Sequence, residues 1–210
     1  MGKLKKSLLI ASSLAFAAAI PLGARSRQAH GVGGVDCRID TDAGRIIVRI
    51  FPGRAPLTAA NFLHYVDSGL YDGTTFFRVV TPENQPRDKV RIEVIQGGDV
   101  DEKKCFPPIA HETTAVTGLK HRDGAVSMAR AEPGTATSSF FICVNDQPEL
   151  DFGGRRNPDG QGFAAFGRVV KGMEVVRRIQ RQEAEGQALK RPVQILAISR
   201  VKSERVFHEN

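Results

Sequence analysis

Short segments typical of β-strands make up most of the sequence and constrain the fold more than any other feature. Helical periodicity occurs in only two places, residues 56–71 and 172–182. Because helices do not alternate with strands, the pattern argues against a doubly wound sheet. It predicts a mainly β fold, a closed or nearly closed antiparallel barrel with helices over its ends. The strand candidates, seven or eight in number, are CRIDT, GRIIVRIF, TTFFRVV, KVRIEVIQ, GAVSMA, SSFFICV, FAAFGRVV and VQILAISRV.

The beginning of the chain has the pattern of a secretory signal peptide. Residues 1–6 carry three lysines, residues 8–20 are apolar or small apart from two serines, and small residues follow at 23 and 24. The apolar run is short for a membrane span, although retention as an anchor is the alternative. We therefore expect cleavage near Arg25 and an exported protein, either periplasmic or extracellular.

The remaining chain is predicted to form one domain, because no linker rich in proline, serine or glycine divides it. We expect a flexible segment over residues 25–35, the folded domain over residues 36–203 and a tail over residues 204–210. The protein is expected to be a monomer without stable membrane association once the signal peptide is removed.

The charge of the chain does not indicate a nucleic-acid partner. The net charge is +7, but lysines and arginines are scattered among acids. The basic clusters RRNPDG and VVRRIQRQ are short and lack the interleaved aromatic residues of a single-strand groove. A solvated basic surface is the better interpretation.

The cysteines and histidines give no reason to expect a metal or another cofactor. No CxxC or Cys/His ligand spacing occurs, and HETTA at His111 lacks the second histidine of a zinc-protease helix. Cys143 lies in an apolar strand pattern and is predicted to be an inert buried thiol. Whether Cys37 and Cys105 form a disulfide after export stays open.

One arginine stands out because it lies within a strand of large apolar residues. In DGTTFFRVV, strict alternation places Phe76, Arg78 and Val80 on one face and Phe77 and Val79 on the other. A guanidinium that keeps its charge at such a position either pairs with an acid at the rim or faces a ligand in a groove.

Six motifs, in order and with compatible spacing, resemble the cyclophilin-type peptidyl-prolyl cis-trans isomerases. The resemblance extends from about residue 37 to residue 201. The motifs are YDGTTFFRVV, VIQGGD, LKHRDGAVSMA, TATSSFFICV, LDFGG and FAAFGRVVKGMEVV.

The resemblance implies an eight-stranded barrel closed by two helices and an outer groove that binds extended, proline-containing polypeptides. It assigns Arg78 as the catalytic arginine and Gln96 as the glutamine that steadies it. Ala129 and Phe141 correspond to groove residues, with Phe141 as the floor of the proline pocket, and Leu150 corresponds to an apolar wall.

Several substrate-binding positions depart from the pattern of the family. Phe163 replaces a pocket histidine, Ser139 a glutamine and Val94 a methionine. Arg130 and Glu149 stand where asparagine and tryptophan are common. About ten additional residues, within TPENQPRDKVRIEV, separate Arg78 from Gln96.

Rotation of a prolyl amide breaks no bond, so it needs neither a nucleophile nor a cofactor. That chemistry fits a chain in which Ser139 has no histidine and aspartate at a recognisable triad spacing. The predicted function is isomerisation of Xaa-Pro bonds in unfolded or extended exported polypeptides. The alternative is a proline-peptide-binding module or chaperone without turnover, which would not require Arg78.

Overall fold

A computed structural model describes residues 33–201 as one barrel with three helices. The predicted signal peptide, most of the predicted flexible segment and all of the predicted tail, residues 204–210, lie outside the described residues. The strands are β1 (Val35–Thr41), β2 (Gly44–Ile50), β3 (Thr75–Val80), β4 (Val94–Gly97), β5 (Ala125–Met128), β6 (Phe140–Cys143), β7 (Ala164–Lys171), β8 (Ala184–Glu185) and β9 (Ala188–Arg200). The helices are α1 (Pro56–Asp67), α2 (Thr114–Thr117) and α3 (Met173–Gln180).

Eight strands close into a ring, which confirms the predicted barrel. Their order is β1, β2, β7, β5, β6, β4, β3 and β9, and β9 pairs back onto β1. Each pairing is antiparallel, and β8 is a two-residue strand that forms a hairpin with β9. Closure leaves no free edge among the eight ring strands, which removes the usual hazard of edge pairing.

The two predicted helices are present and pack against the barrel. Pro56 lies in the first turn of α1, where its missing N–H costs no hydrogen bond. The chain leaves this helix through Gly69, whose φ of 64° is left-handed and suits glycine. The one-turn helix α2 lies in a region where the sequence shows no helical periodicity.

One strand prediction is wrong over most of its length, because only the end of KVRIEVIQ belongs to β4. The backbone of Ile92 bonds to the buried side chain of Gln85 instead of a neighbouring strand. The Gln85 amide donates to the Ile92 carbonyl at 2.7 Å, and the Ile92 N–H donates to Gln85 Oε1 at 3.2 Å. These contacts hold residues 81–93 as a compact loop.

The side-chain alternation predicted for β3 is also wrong in part, because the strand contains a bulge. Phe76 pairs with Gly97 and Arg78 pairs with Gln96, so Phe77 is an additional residue on β3. The bulge shifts the phase of the strand. Phe76 and Val79 belong to the barrel core, whereas Arg78 faces outward.

Aromatic rings fill the centre of the barrel. The ring of Phe140 makes edge-on contacts with those of Phe62, Tyr71 and Phe76, at centroid distances of 5.4, 5.5 and 5.8 Å. The next residue, Phe141, points the other way and belongs to a second apolar cluster outside this core. Two adjacent phenylalanines therefore serve opposite faces of β6.

The three cysteines carry free thiols in the structure, so Cys37 and Cys105 are not paired. Burial raises the pKa of Cys37 to about 12 and raises that of Cys143 well above the usual range. Both thiols are therefore protonated at neutral pH, and the prediction of a buried Cys143 is correct.

Within residues 33–201, none of the helices has the length and apolar character needed to cross a membrane. The same part of the chain contains no group of three or more histidine, cysteine, aspartate or glutamate residues arranged to hold a metal ion.

We predict that Phe140→Ala lowers the free energy of unfolding by about 3–5 kcal/mol, because it leaves a cavity among three aromatic rings. Urea denaturation measures this change. The matched control is Leu57→Ala on α1, where the side chain is 51% exposed and the expected change is within about 0.5 kcal/mol. Equal losses in the two variants would contradict this account of the core.

Candidate active site

A cavity of about 220 Å³ lies on the outer wall of the barrel and combines a cationic side with an apolar floor. Larger depressions of about 570, 900 and 330 Å³ are lined mainly by charged and polar side chains, and another of about 410 Å³ is mainly apolar but, within the described residues, is lined by no lysine or arginine. Of the eight predicted site residues, the cavity brings together Arg78, Val94, Gln96, Ala129, Phe141, Leu150 and Phe163. Ser139 lies outside its lining, and its hydroxyl donates to the Gly98 carbonyl at 3.4 Å.

Strand register explains why the key residues meet. Arg78 on β3 is the direct partner of Gln96 on β4, and Gln96 is the direct partner of Phe141 on β6. Partners directly opposite one another in adjacent strands place their side chains on the same face of the sheet. One row across three strands thus carries the guanidinium, an amide and the aromatic floor.

Two glutamine side chains hold the guanidinium of Arg78. Its Nη1 donates to Gln96 Oε1 at 2.7 Å, while its Nε and Nη2 donate to Gln187 Oε1 at 3.0 and 2.6 Å. Within residues 33–201, Arg78 forms no salt bridge with a carboxylate. The partners are neutral, so they orient the charge without cancelling it.

The surroundings of Arg78 lower its pKa from the usual arginine value. Burial is the main cause and the nearby Arg156 is the second, while Asp88 acts in the opposite direction. Arginine nevertheless stays protonated at physiological pH. The cavity therefore contains a permanent, partly desolvated cation.

The apolar floor is rigidly supported. The ring of Phe141 meets that of Phe163 edge-on at 5.3 Å, and it lies nearly parallel to His121 at 6.0 Å. Beneath it, His121 Nδ1 is 2.8 Å from Asp151 Oδ1, and His121 Nε2 is 2.9 Å from Ser127 Oγ. This Asp–His–Ser row resembles a hydrolase triad. Because the serine and the histidine are buried, however, it cannot meet a substrate and serves as support.

The comparisons with known proteins agree with this geometry. A family model described as cyclophilin type peptidyl-prolyl cis-trans isomerase/CLD matches residues 36–202. The chain belongs to the cyclophilin-type peptidyl-prolyl cis-trans isomerase family. It is a peptidyl-prolyl cis-trans isomerase.

Bacterial isomerases are among its relatives. The chain is 40% identical over 147 residues to a peptidyl-prolyl cis-trans isomerase of Streptomyces antibioticus, covering 68% of this chain and 81% of that protein. It is 37% identical over 145 residues to peptidyl-prolyl cis-trans isomerase B of Escherichia coli K12, covering 67% and 80%. For an isomerase of Acinetobacter baylyi the identity is 34% over 190 residues, covering 86% and 93%.

The fold is also that of solved cyclophilins. A crystal structure of a cyclophilin-type isomerase from Cryptosporidium parvum superposes with a TM-score of 0.65 at 23% identity, covering 80% of this chain and 98% of that one. A second crystal structure, with a TM-score of 0.60, was obtained for that protein in the presence of the dipeptide Ala-Pro.

Sequence reasoning missed several residues of this cyclophilin's site. Gln187 lies in the turn between β8 and β9, more than a hundred positions from Arg78, and only the pairing of Arg78 with Ala188 brings it near. The cavity is also lined by Ile92, Arg156 and Asn157, which come from two loops. Arg156 belongs to RRNPDG, which the sequence indicates only as part of a solvated basic surface. Nothing in the local sequence indicates that these loops reach the groove.

The additional residues after Arg78 form a loop that lines the groove through Ile92. The side chain of Gln85 stabilises this loop, since its amide also donates to the Thr81 carbonyl at 2.8 Å. Asn84 anchors the start of the loop by donating to the Val79 carbonyl at 2.9 Å. Ile92, at the end of the loop, can then contribute its side chain to the cavity.

We predict that Gln85→Ala accelerates amide hydrogen exchange across residues 81–93, because Ile92 loses both of its partners and the loop opens. Hydrogen exchange measured by mass spectrometry tests this. Arg87→Ala, an exposed change in the same loop, is the control and should leave exchange unchanged. Unaltered protection in Gln85→Ala would show that the loop does not depend on this side chain.

Proposed function

We propose that the cavity seats the proline ring of an extended polypeptide on Phe141 and that Arg78 stabilises the twisted form of the preceding amide. The observation that carries this proposal is that the guanidinium of Arg78, which has no carboxylate partner within the described residues, lines the same cavity as the apolar floor. The Ala-Pro dipeptide named for the Cryptosporidium protein supports proline recognition by this fold.

The chemistry requires little more than a positioned donor. Resonance gives the peptide bond a rotation barrier of about 18–20 kcal/mol. When the amide twists, the prolyl nitrogen regains its lone pair and can accept a hydrogen bond. A cation directed at that nitrogen stabilises the twisted state more than either planar state, and this difference accelerates rotation.

Arg78 retains donors for this task. A guanidinium has five N–H groups, and three of them are used on Gln96 and Gln187. Within the described part of the chain, the other two have no hydrogen-bond acceptor. The two glutamines limit the motion of the side chain, so less conformational freedom is lost when substrate binds.

The binding module without turnover is the less favoured alternative. The relatives at 34–40% identity are themselves named isomerases. A module that only held proline segments would also have no use for a half-buried charge without a carboxylate partner, which is costly to desolvate.

We expect Arg78→Ala to lower kcat/KM for a proline peptide by about 10²–10³-fold, the loss typical of a donor directed at developing charge. A coupled isomerisation assay and far-UV circular dichroism measure the rate and the fold. Arg181→Ala removes an exposed arginine as a control and should keep full activity. If Arg78→Ala is folded and as fast as the wild type, Arg78 has no part in catalysis. If the wild type binds the peptide but does not isomerise it, the binding module is the better description.

We also propose that the protein acts on exported polypeptides, on the basis of the signal-peptide pattern in residues 1–24. Mass spectrometry of the protein purified from bacterial cells should show a mature N-terminus near Arg25. A variant lacking residues 2–24 should stay in the cytoplasmic fraction. Full-length protein in the cytoplasm would contradict export, and full-length protein in the membrane fraction would indicate an anchor. The monomeric state stays a prediction.

A further inference from the structure

A second guanidinium lines the cavity and belongs to a loop outside the barrel. Arg156, in the loop of residues 153–162, reaches across to the loop of residues 81–93. Its Nη1 donates to Asp88 Oδ2 at 3.0 Å and to the Val90 carbonyl at 2.7 Å. The side chain is mostly buried, at 17% exposed. Arg156 thus joins two loops and faces the space assigned to substrate.

The charges around the cavity are not balanced. A third guanidinium, Arg130, is nearly inaccessible and is held by both oxygens of Asp159 at 2.8 and 3.0 Å. Arg156 meets its carboxylate, Asp88, through one nitrogen only, and Arg78 has neutral partners. Within residues 33–201, no acidic side chain lines the cavity. The lining therefore presents positive charge that the protein compensates only in part.

Arg156 has donors left for a substrate. Its Nε and Nη2 have no acceptor within the described residues, and together they form the edge of a guanidinium that binds a carboxylate in bidentate fashion. Partial burial strengthens such a contact relative to an ion pair in water. The rim charge of a groove also selects among partners by attraction and repulsion.

We infer that Arg156 is a specificity-determining residue that favours an aspartate or glutamate directly next to the substrate proline. The inference rests on the proposed function, since it requires the proline to lie on Phe141. Asp88 competes with the substrate carboxylate for the same guanidinium. An acidic neighbour should therefore be preferred over a neutral one, and a lysine should be disfavoured.

The test compares kcat/KM for peptides that carry alanine, glutamate or lysine immediately before proline, and for a second series with the same three residues immediately after it. We expect glutamate to exceed lysine by about tenfold in at least one series, which equals about 1.4 kcal/mol. The ratio should fall as salt is added, because screening weakens the attraction.

Two variants separate charge recognition from loop anchoring. Arg156→Gln should bring the glutamate-to-lysine ratio close to one, whereas Asp88→Asn should raise it above the wild-type value by removing the competing carboxylate. Both substitutions break the same bridge, so a purely structural role would move the ratio in the same direction in both. Arg155→Gln is the matched control, because Arg155 is 77% exposed, pairs with Glu149 and lies outside the cavity lining.

Arg156→Lys provides a folded variant if the glutamine variant is unstable. It keeps the charge but not the bidentate edge, so an intermediate ratio is expected. Equal rates on glutamate and lysine peptides in the wild type would overturn the inference, as would an unchanged ratio in Arg156→Gln. The proposed function would survive both results, because it depends on whether turnover of the alanine peptide is lost in Arg78→Ala.

Discussion

The rest of the structure depends on the pairing of β9 with two strands at once. This strand of 13 residues pairs with β1 along one part and with β3 along another, and so it closes the ring. Closure encloses the aromatic core. It gives hydrogen-bond partners to the backbone N–H and C=O groups of β1 and β3 that face β9. It also places the turn before β9 beside Arg78, where Gln187 binds the guanidinium. The closure of the barrel and the orientation of Arg78 therefore share one cause.

The two glutamine partners of Arg78 explain how a half-buried guanidinium can keep its charge without a carboxylate partner. A carboxylate partner would stabilise the guanidinium but would also neutralise it toward a substrate. Amide oxygens offset part of the desolvation cost and leave the charge in place. The bulge at Phe77 is what turns this side chain to the groove while Phe76 and Val79 stay in the core. A bulge of one residue thus separates the side chains that pack in the core from the side chain that lines the groove.

Two loops outside the barrel contribute side chains to the groove. The side chain of Gln85 stabilises the loop of residues 81–93 through hydrogen bonds to its backbone. Arg156 links the loop of residues 153–162 to that loop. The scaffold provides the arginine and the phenylalanine floor, while the loops determine which charges surround them.

Local sequence was sufficient for most of the elements. Most strand patterns and the helical periodicity near residues 56–71 and 172–182 depend on neighbours a few positions away, and these predictions are confirmed. The family motifs likewise named seven residues that meet in the cavity. Other features arise only from long-range contacts. The phase of β3 depends on a bulge opposite β4, and the loop conformation of residues 89–93 depends on the buried amide of Gln85. Gln187 and Arg156 reach the groove only after the barrel closes. Alternation and composition hold no information about partners that are distant in the chain, so tertiary structure alone decided these features.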